Sequence, residues 1–148
     1  MVEMSVAGIA LDASSRTPIV LLRDPSGRRQ VPIWIDQAQA HNIMAGLQGA
    51  EPPRPLSHDL MAALLVAGGL ELERVIVHAI EDSTFHAVLK LRQTDPLEQA
   101  DEGDVILHDV DARPSDAIAL AVRTGSSIWM LEEVVAEASI AVDAEADA

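Results

Sequence analysis

The segment Asp111–Ile118, which reads DARPSDAI, places an Arg-Pro pair directly before a serine, an aspartate and an apolar helical pattern. An earlier segment, Arg54–Leu60 (RPLSHDL), has the same residue types in the same order, with Leu56 before the serine and His58 before the aspartate. The first turn of a helix has unpaired backbone N–H groups and favours negative charge. Both segments therefore predict a helix start that carries a guanidinium and a carboxylate. Two such starts in one short chain indicate that they face one shared pocket.

Length and composition predict one packed domain. The chain has 148 residues, of which 49% are hydrophobic, and we expect the domain to span residues 1–140, with 141–148 as an acidic, disordered tail. The absence of cysteine excludes a disulfide framework, a thiolate zinc site and a cysteine nucleophile. No signal peptide and no apolar run near the ~20 residues of a membrane span is visible. These features predict a cytoplasmic protein without membrane contact.

The net charge of −14 disfavours nucleic acid as a partner, because phosphate binding relies on basic groups. Eight acidic residues, however, lie in the stretches 95–104 and 143–147, and without them 16 acidic residues stand against 10 basic ones. Nine of those ten are arginine, whose planar fork suits phosphate or carboxylate. Only 2% of the residues are aromatic, which predicts that no stacking platform for single-stranded bases is present.

Hairpins mixed with helices predict an α+β fold, with a mixed or antiparallel sheet packed against about four helices. Glycine is placed to end three of the helices, and the second helix, which Ser57 caps, is expected to bury Leu60, Met61, Leu64 and Leu65. An acidic loop is expected at 93–103, and similar Ile-Trp segments before two helices suggest an internal duplication. The predicted strands are 2–11, 18–23, 30–35, 71–80, 85–92, 104–110 and 127–130, and the predicted helices are 37–48, from 57 to Gly68, 115–124 and a short one from 131.

The two predicted helix starts supply the residue types of a phosphodiesterase: carboxylates for a divalent cation, a histidine for proton transfer and arginines for phosphate. They are Arg54, His58 and Asp59 in the first segment and Asp111, Arg113 and Asp116 in the second. A structural role is the alternative, in which each aspartate stabilises its helix dipole by roughly 0.3–1 kcal/mol. The arginines would then cross-link the fold as Arg54–Asp116 and Arg113–Asp59.

Four segments carry a resemblance to a known family. In chain order they are Pro32–Ile35 (PIWI), Pro53–Leu60 (PRPLSHDL), Thr84–Ala87 (TFHA) and Asp111–Leu120 (DARPSDAIAL). This series resembles the bifunctional nuclease (BFN) domain family, in the style of its cyanobacterial members, from about Val2 to Ile140. The resemblance implies an α+β domain that is often a homodimer and that cuts DNA and RNA.

The resemblance makes Arg54, His58, Asp59, Arg113 and Asp116 the candidate site. Together with the chemistry of the two helix starts, it gives a nuclease hypothesis with no organic cofactor. In this hypothesis His58, Asp59 and Asp116 are catalytic, Arg54 and Arg113 bind phosphate, and Asp59, Asp111 and Asp116 are ligands of Mg²⁺ or Mn²⁺. Many relatives have glutamate where this sequence has Gln39, which removes one candidate ligand or base. A non-catalytic module that binds an anion or nucleotide in the same pocket therefore stays open as the alternative function.

Overall fold

Eight strands and four helices make up the parts of the chain that the computed structural model describes, residues 1–49, 51–94 and 106–142. This confirms the predicted α+β class. In chain order the elements are β1 (Val2–Leu11), β2 (Pro18–Arg23), β3 (Arg29–Trp34), α1 (Gln37–Gln48), α2 (Ser57–Ala67), β4 (Leu70–Glu81), β5 (Thr84–Gln93), β6 (Leu107–Ala112), α3 (Pro114–Thr124), β7 (Ser127–Met130), α4 (Glu132–Ala138) and β8 (Ile140–Ala141).

The strands form one mixed sheet in the order β6-β5-β4-β7-β1-β2-β3-β8. Strand β7 runs parallel to β4, and the other neighbouring pairs are antiparallel. On one side β7 pairs with Arg74–Val77 of β4, and on the other with Val2–Met4 of β1. One four-residue strand therefore joins the β4–β5–β6 meander to the β1–β2–β3 meander.

Helix α3 lies at the centre of the helical layer. It packs against α1 and α2 and also contacts β4, β5 and β7. Most of its first eight residues are buried, and Ala117, Ile118 and Ala121 have no exposed surface. Helix α1 approaches it closely at Gly46, where an added Cβ would lie 2.5 Å from Cγ2 of Val122. The C-terminal turns of α1 and α3 are therefore closely packed.

The predicted ends of α1 and α3 are confirmed. Helix α1 spans Gln37–Gln48, and both Gly49 and Gly125 adopt the left-handed conformation that glycine tolerates at a helix end. The predicted buried face of α2 is wrong for three of its four residues, because Leu60 and Leu64 are 54% and 60% exposed and Met61 is exposed as well. The fourth, Leu65, does pack against the core, together with Ala62, and the helix also buries His58.

One predicted strand has different ends in the structure, and one observed strand was not predicted. The strand expected over 104–110 is observed as Leu107–Ala112, because residues 107–112 pair in register with 87–92 of β5. Ile140 and Ala141 form β8, which pairs with Arg29 and Gln30 at the edge of β3. The tail predicted over 141–148 is ordered at its first two residues, since Ala141 lies in β8 and the Val142 backbone N–H donates to the Arg28 carbonyl. Its remainder, residues 143–148, and most of the predicted acidic loop at 93–103 lie outside the described residues. The internal duplication stays a prediction.

No helix among the described residues is long and apolar enough to cross a membrane.

Candidate functional site

The first turns of α2 and α3 meet through a histidine and an aspartate. Nε2 of His58 lies 3.0 Å from Oδ1 of Asp116, although 58 residues separate them in the chain. The His58 side chain is only 6% exposed, and its Nδ1 is buried without a hydrogen-bond partner among the described residues. An imidazole that carries a proton on Nε2 can donate it to this carboxylate. The imidazole therefore orients Asp116 from inside the protein.

Arg113 holds the other oxygen of the same carboxylate. Its Nε donates to Oδ2 of Asp116 at 2.8 Å, and the arginine side chain is 68% exposed. Burial raises the pKa of Asp116, but the hydrogen bonds and charges of Arg113 and His58 outweigh it and leave the pKa below its usual value. Asp116 is therefore charged at neutral pH. It holds Arg113 through Nε, while most of the arginine side chain is exposed.

Asp59 belongs to a different cluster. Its Oδ2 accepts a hydrogen bond from the Leu56 backbone N–H at 2.8 Å, and its Oδ1 accepts one from Nε of Arg123 at 2.7 Å. These two bonds, the backbone bond first, lower the pKa of Asp59. Nη1 of Arg123 also donates to the backbone carbonyls of Asn42 and Ala119. This one guanidinium, which is 6% exposed, therefore connects α1, α2 and α3.

The expected cross-links Arg54–Asp116 and Arg113–Asp59 are wrong in their partners. Arg113 pairs with the aspartate of its own helix, and Arg123, which sequence reasoning missed, pairs with Asp59. Arg54 is exposed in the connector before α2 and makes no hydrogen bond or ion pair with the described residues. The structure thus brings together His58, Arg113 and Asp116 and leaves Arg54 outside the cluster.

The three aspartates assigned to a metal do not form one site. Asp111 is exposed on β6 opposite Val88, Asp59 is paired with Arg123, and Asp116 is held by His58 and Arg113. Within residues 1–49, 51–94 and 106–142, no three His, Cys, Asp or Glu side chains are arranged to hold a metal ion. The described residues therefore do not fit the expected three-carboxylate site, and the use of Mg²⁺ or Mn²⁺ stays a prediction.

A cavity of about 280 Å³ opens beside Arg113. Gln39 lines it, and its Oε1 accepts the Asp36 backbone N–H at 2.8 Å, so the side-chain amide is left with its two N–H donors. The β4–β5 turn contributes Ser83 to the lining of this cavity. Asp82 and Ser83 in this turn have φ angles of 50° and 66°, in the region that most side chains avoid. The polar lining consists of Gln39, Ser83, Thr84, Arg113 and Ser115.

These donors suit an anion. Arg113 supplies the positive charge, and the amide and hydroxyl groups supply neutral hydrogen bonds around it. Sequence reasoning identified Arg113 and discussed Gln39. It included Thr84 in a family segment without giving it a role, and it missed Ser83. The local signal for Ser83 is a short turn between two strands, which does not reveal that the turn reaches the start of α3.

Comparisons with known proteins identify the family of the chain. The family model described as "Bifunctional nuclease domain" matches residues 20–143. The chain is also 37% identical over 147 residues to "Uncharacterized protein MT1877" of Mycobacterium tuberculosis (strain CDC 1551 / Oshkosh), a match that covers 99% of this chain and 82% of the relative. "Uncharacterized protein Rv1829" of Mycobacterium tuberculosis (strain ATCC 25618 / H37Rv) matches with the same identity and coverage. The chain therefore belongs to the bifunctional nuclease domain family.

Proposed function

We propose that this protein hydrolyses phosphodiester bonds of DNA or RNA in the cavity beside Arg113. The observation that carries the proposal is the chain of contacts from His58 through Asp116 to Arg113, which ends at a cavity lined by hydrogen-bond donors. A phosphate bound there would meet a guanidinium already fixed in position. Fixed donors stabilise the negative charge that develops in a transition state without reorganising.

Asp116 has the second role in this proposal. Its side chain is 29% exposed, so its carboxylate can accept a hydrogen bond from the attacking water while His58 and Arg113 hold it in place. His58 acts as a positioning residue, because Nε2 faces Asp116 and Nδ1 is buried. Asp59 has a structural role in this proposal, because it pairs with Arg123 and does not line the cavity.

Hydrolysis of labelled single-stranded and double-stranded oligonucleotides tests the proposal, with Mg²⁺, with Mn²⁺ and with EDTA as separate arms. We expect Arg113→Ala to lower kcat/KM by about 100-fold, the usual effect of removing one transition-state donor. Arg28→Ala is the matched control, since Arg28 is exposed on the β2–β3 turn. Arg54→Ala tests the phosphate-binding role predicted from the sequence. Turnover that is equal in wild type, Arg113→Ala and Asp116→Asn would show that a contaminant is responsible.

A second candidate function is non-catalytic binding of an anion or nucleotide at the same cavity. The lowered pKa of Asp116 favours it, because a carboxylate stabilised in its charged form is a weak general base. Nucleotide binding that depends on Arg113, together with no turnover in any metal arm, would support this function over hydrolysis.

We also propose that the protein is a homodimer that associates through α2. The exposed apolar side chains of this helix are Leu60, Met61, Leu64 and Val66. The chain as a whole has a net charge of −14, but α2 has no charged residue after Asp59. Two copies can therefore meet at this face with little charge repulsion. Light scattering after gel filtration tests the state. Leu64→Glu should give a monomer, and Val110→Glu, a change at an exposed apolar site on β6, should not.

The expected cytoplasmic location also stays a proposal, and cell fractionation tests it.

A further inference from the structure

Trp34, at the end of β3, presents its indole to solvent although it is one of the largest apolar side chains in the protein. The side chain is 54% exposed. Its Nε1–H donates to Oδ2 of Asp12 at 3.1 Å. The ring is therefore tied at one edge while much of its surface stays exposed.

The acceptor that ties the ring is itself fixed. Oδ1 of Asp12 accepts hydrogen bonds from the Ser14 hydroxyl at 2.8 Å and from the Ser14 backbone at 2.9 Å. The Ser14 bonds, followed by the bond from Trp34, lower the pKa of Asp12 to about 2, so the carboxylate is charged at neutral pH. Since the indole is already oriented, little rotamer entropy remains to be lost when a ligand stacks on it.

Cavities border Trp34 on two sides. The first is the cavity beside Arg113, and the second is a cavity of about 420 Å³ that contains Arg16. Trp34, Ile35 and Gln39 line both of them, so the indole is part of the wall between two spaces that each hold one arginine. Asp36 also lines the second cavity. The pKa of Arg113 is raised mainly by its hydrogen bond to Asp116 and also by the charge of Asp36, so one further carboxylate faces this region.

We propose that Trp34 is a stacking platform for one base of a single-stranded nucleic acid whose phosphate is held by Arg113. This inference rests on the proposed function and specifies its substrate class. In a duplex the faces of the bases are covered by their neighbours, whereas an unpaired base can stack on an aromatic ring. The scarcity of aromatic residues predicted no stacking platform, but stacking of a single base needs only one well-placed indole.

Binding of short labelled oligomers, measured by fluorescence anisotropy in EDTA, tests the platform. Three ligands of about eight nucleotides are compared: oligothymidylate, an abasic backbone of the same length, and a duplex. The wild type should bind oligothymidylate about 5- to 100-fold more tightly than the abasic backbone, the usual effect of stacking one base. The duplex should also bind more weakly than oligothymidylate. Gel analysis after each titration confirms that the oligomers stay intact.

Trp34→Ala should bind oligothymidylate and the abasic backbone equally, with unchanged affinity for the backbone. Trp129→Phe is the matched control, because that indole is half-buried and donates to the Ser127 hydroxyl. The control should keep the preference for oligothymidylate over the abasic backbone. The fluorescence of its remaining tryptophan, Trp34, should be quenched by oligothymidylate and not by the abasic backbone. Trp34→Phe should keep part of the preference.

Three results would overturn the platform: equal binding of the oligothymidylate and the abasic backbone by wild type, a preference that survives in Trp34→Ala, or no binding of any oligomer. These outcomes can be told apart from failure of the proposed hydrolysis. Cleavage that depends on Arg113 but not on Trp34 would remove the platform and keep the nuclease. Base-dependent quenching without cleavage would keep the platform and remove the nuclease.

Discussion

Arg113 directly precedes α3 and Arg123 lies in its last turn, ten positions later, and we expect alanine at the two positions to affect different properties. Arg123→Ala removes the buried guanidinium that connects α1, α2 and α3. Arg113→Ala removes an exposed guanidinium beside the cavity. The first change should therefore lower stability, and the second should lower substrate binding and turnover.

The size of the stability effect follows from the contacts of Arg123. Breaking a buried ion pair costs about 3–5 kcal/mol because the remaining partner stays charged. Here Asp59 is 31% exposed and keeps its bond from the Leu56 backbone, so water can replace part of what is lost. We therefore expect about 3 kcal/mol, the lower end of that range. For a domain of this size, that corresponds to a fall in Tm of about 6–12 °C.

Urea unfolding followed by circular dichroism measures the effect, with the slope of each transition checked for two-state behaviour. Arg113→Ala should change the free energy of unfolding by less than about 1 kcal/mol, as is usual for an exposed pair. Arg123→Lys should fall between wild type and Arg123→Ala, because an ammonium cannot reproduce the planar fork. If Arg123→Ala unfolds at the wild-type urea concentration, the connecting role assigned to Arg123 is wrong.

Three further predictions concern the same region. The pKa values of Asp59 and Asp116 are lowered in the folded protein, so the two carboxylates stabilise the fold above a pH of about 4 and should lose this effect as the pH falls further. The free energy of unfolding, measured across an acid titration, should therefore fall less steeply with decreasing pH in Asp59→Asn than in wild type. Gln39→Glu keeps the helix cap of α1 but adds a negative charge to the cavity, so oligonucleotide affinity should fall, and it should fall most at low salt. Anisotropy across a salt series measures this effect, and an increase in affinity would contradict the anion site. Gly46→Ala should lower the free energy of unfolding in urea by about 1–2 kcal/mol, because the added Cβ would meet Val122. A stabilised variant would show that α1 and α3 can move apart to accommodate the methyl group.

Local sequence signals predicted the elements that local chemistry determines. Glycines 49 and 125 marked two helix ends because few other residues tolerate a positive φ there. The β4–β5 hairpin was evident from alternation around a short turn. The face of α2 was not, because Leu60–Ala67 (LMAALLVA) is apolar on all sides and its periodicity cannot indicate which side meets the core.

The candidate site was predicted only in part, for a reason of distance along the chain. The residue types of His58, Arg113 and Asp116 were evident at two helix starts, and these starts do meet. Which arginine reaches which aspartate depends on how α2 crosses α3, and Arg123 lies 64 residues from Asp59. No local pattern encodes such a contact, so the partners of the arginines had to come from the structure.

The position of β7 between β4 and β1 also sets an order of events during synthesis. A nascent chain that has not yet delivered Ser127–Met130 leaves Val2–Met4 and Arg74–Val77 as unpaired strand edges, because both take their partner from that one late strand. Open edges of this kind pair readily with other chains. Until residues 127–130 leave the ribosome, the two meanders cannot join, so this interval is when we expect the nascent protein to depend most on chaperones.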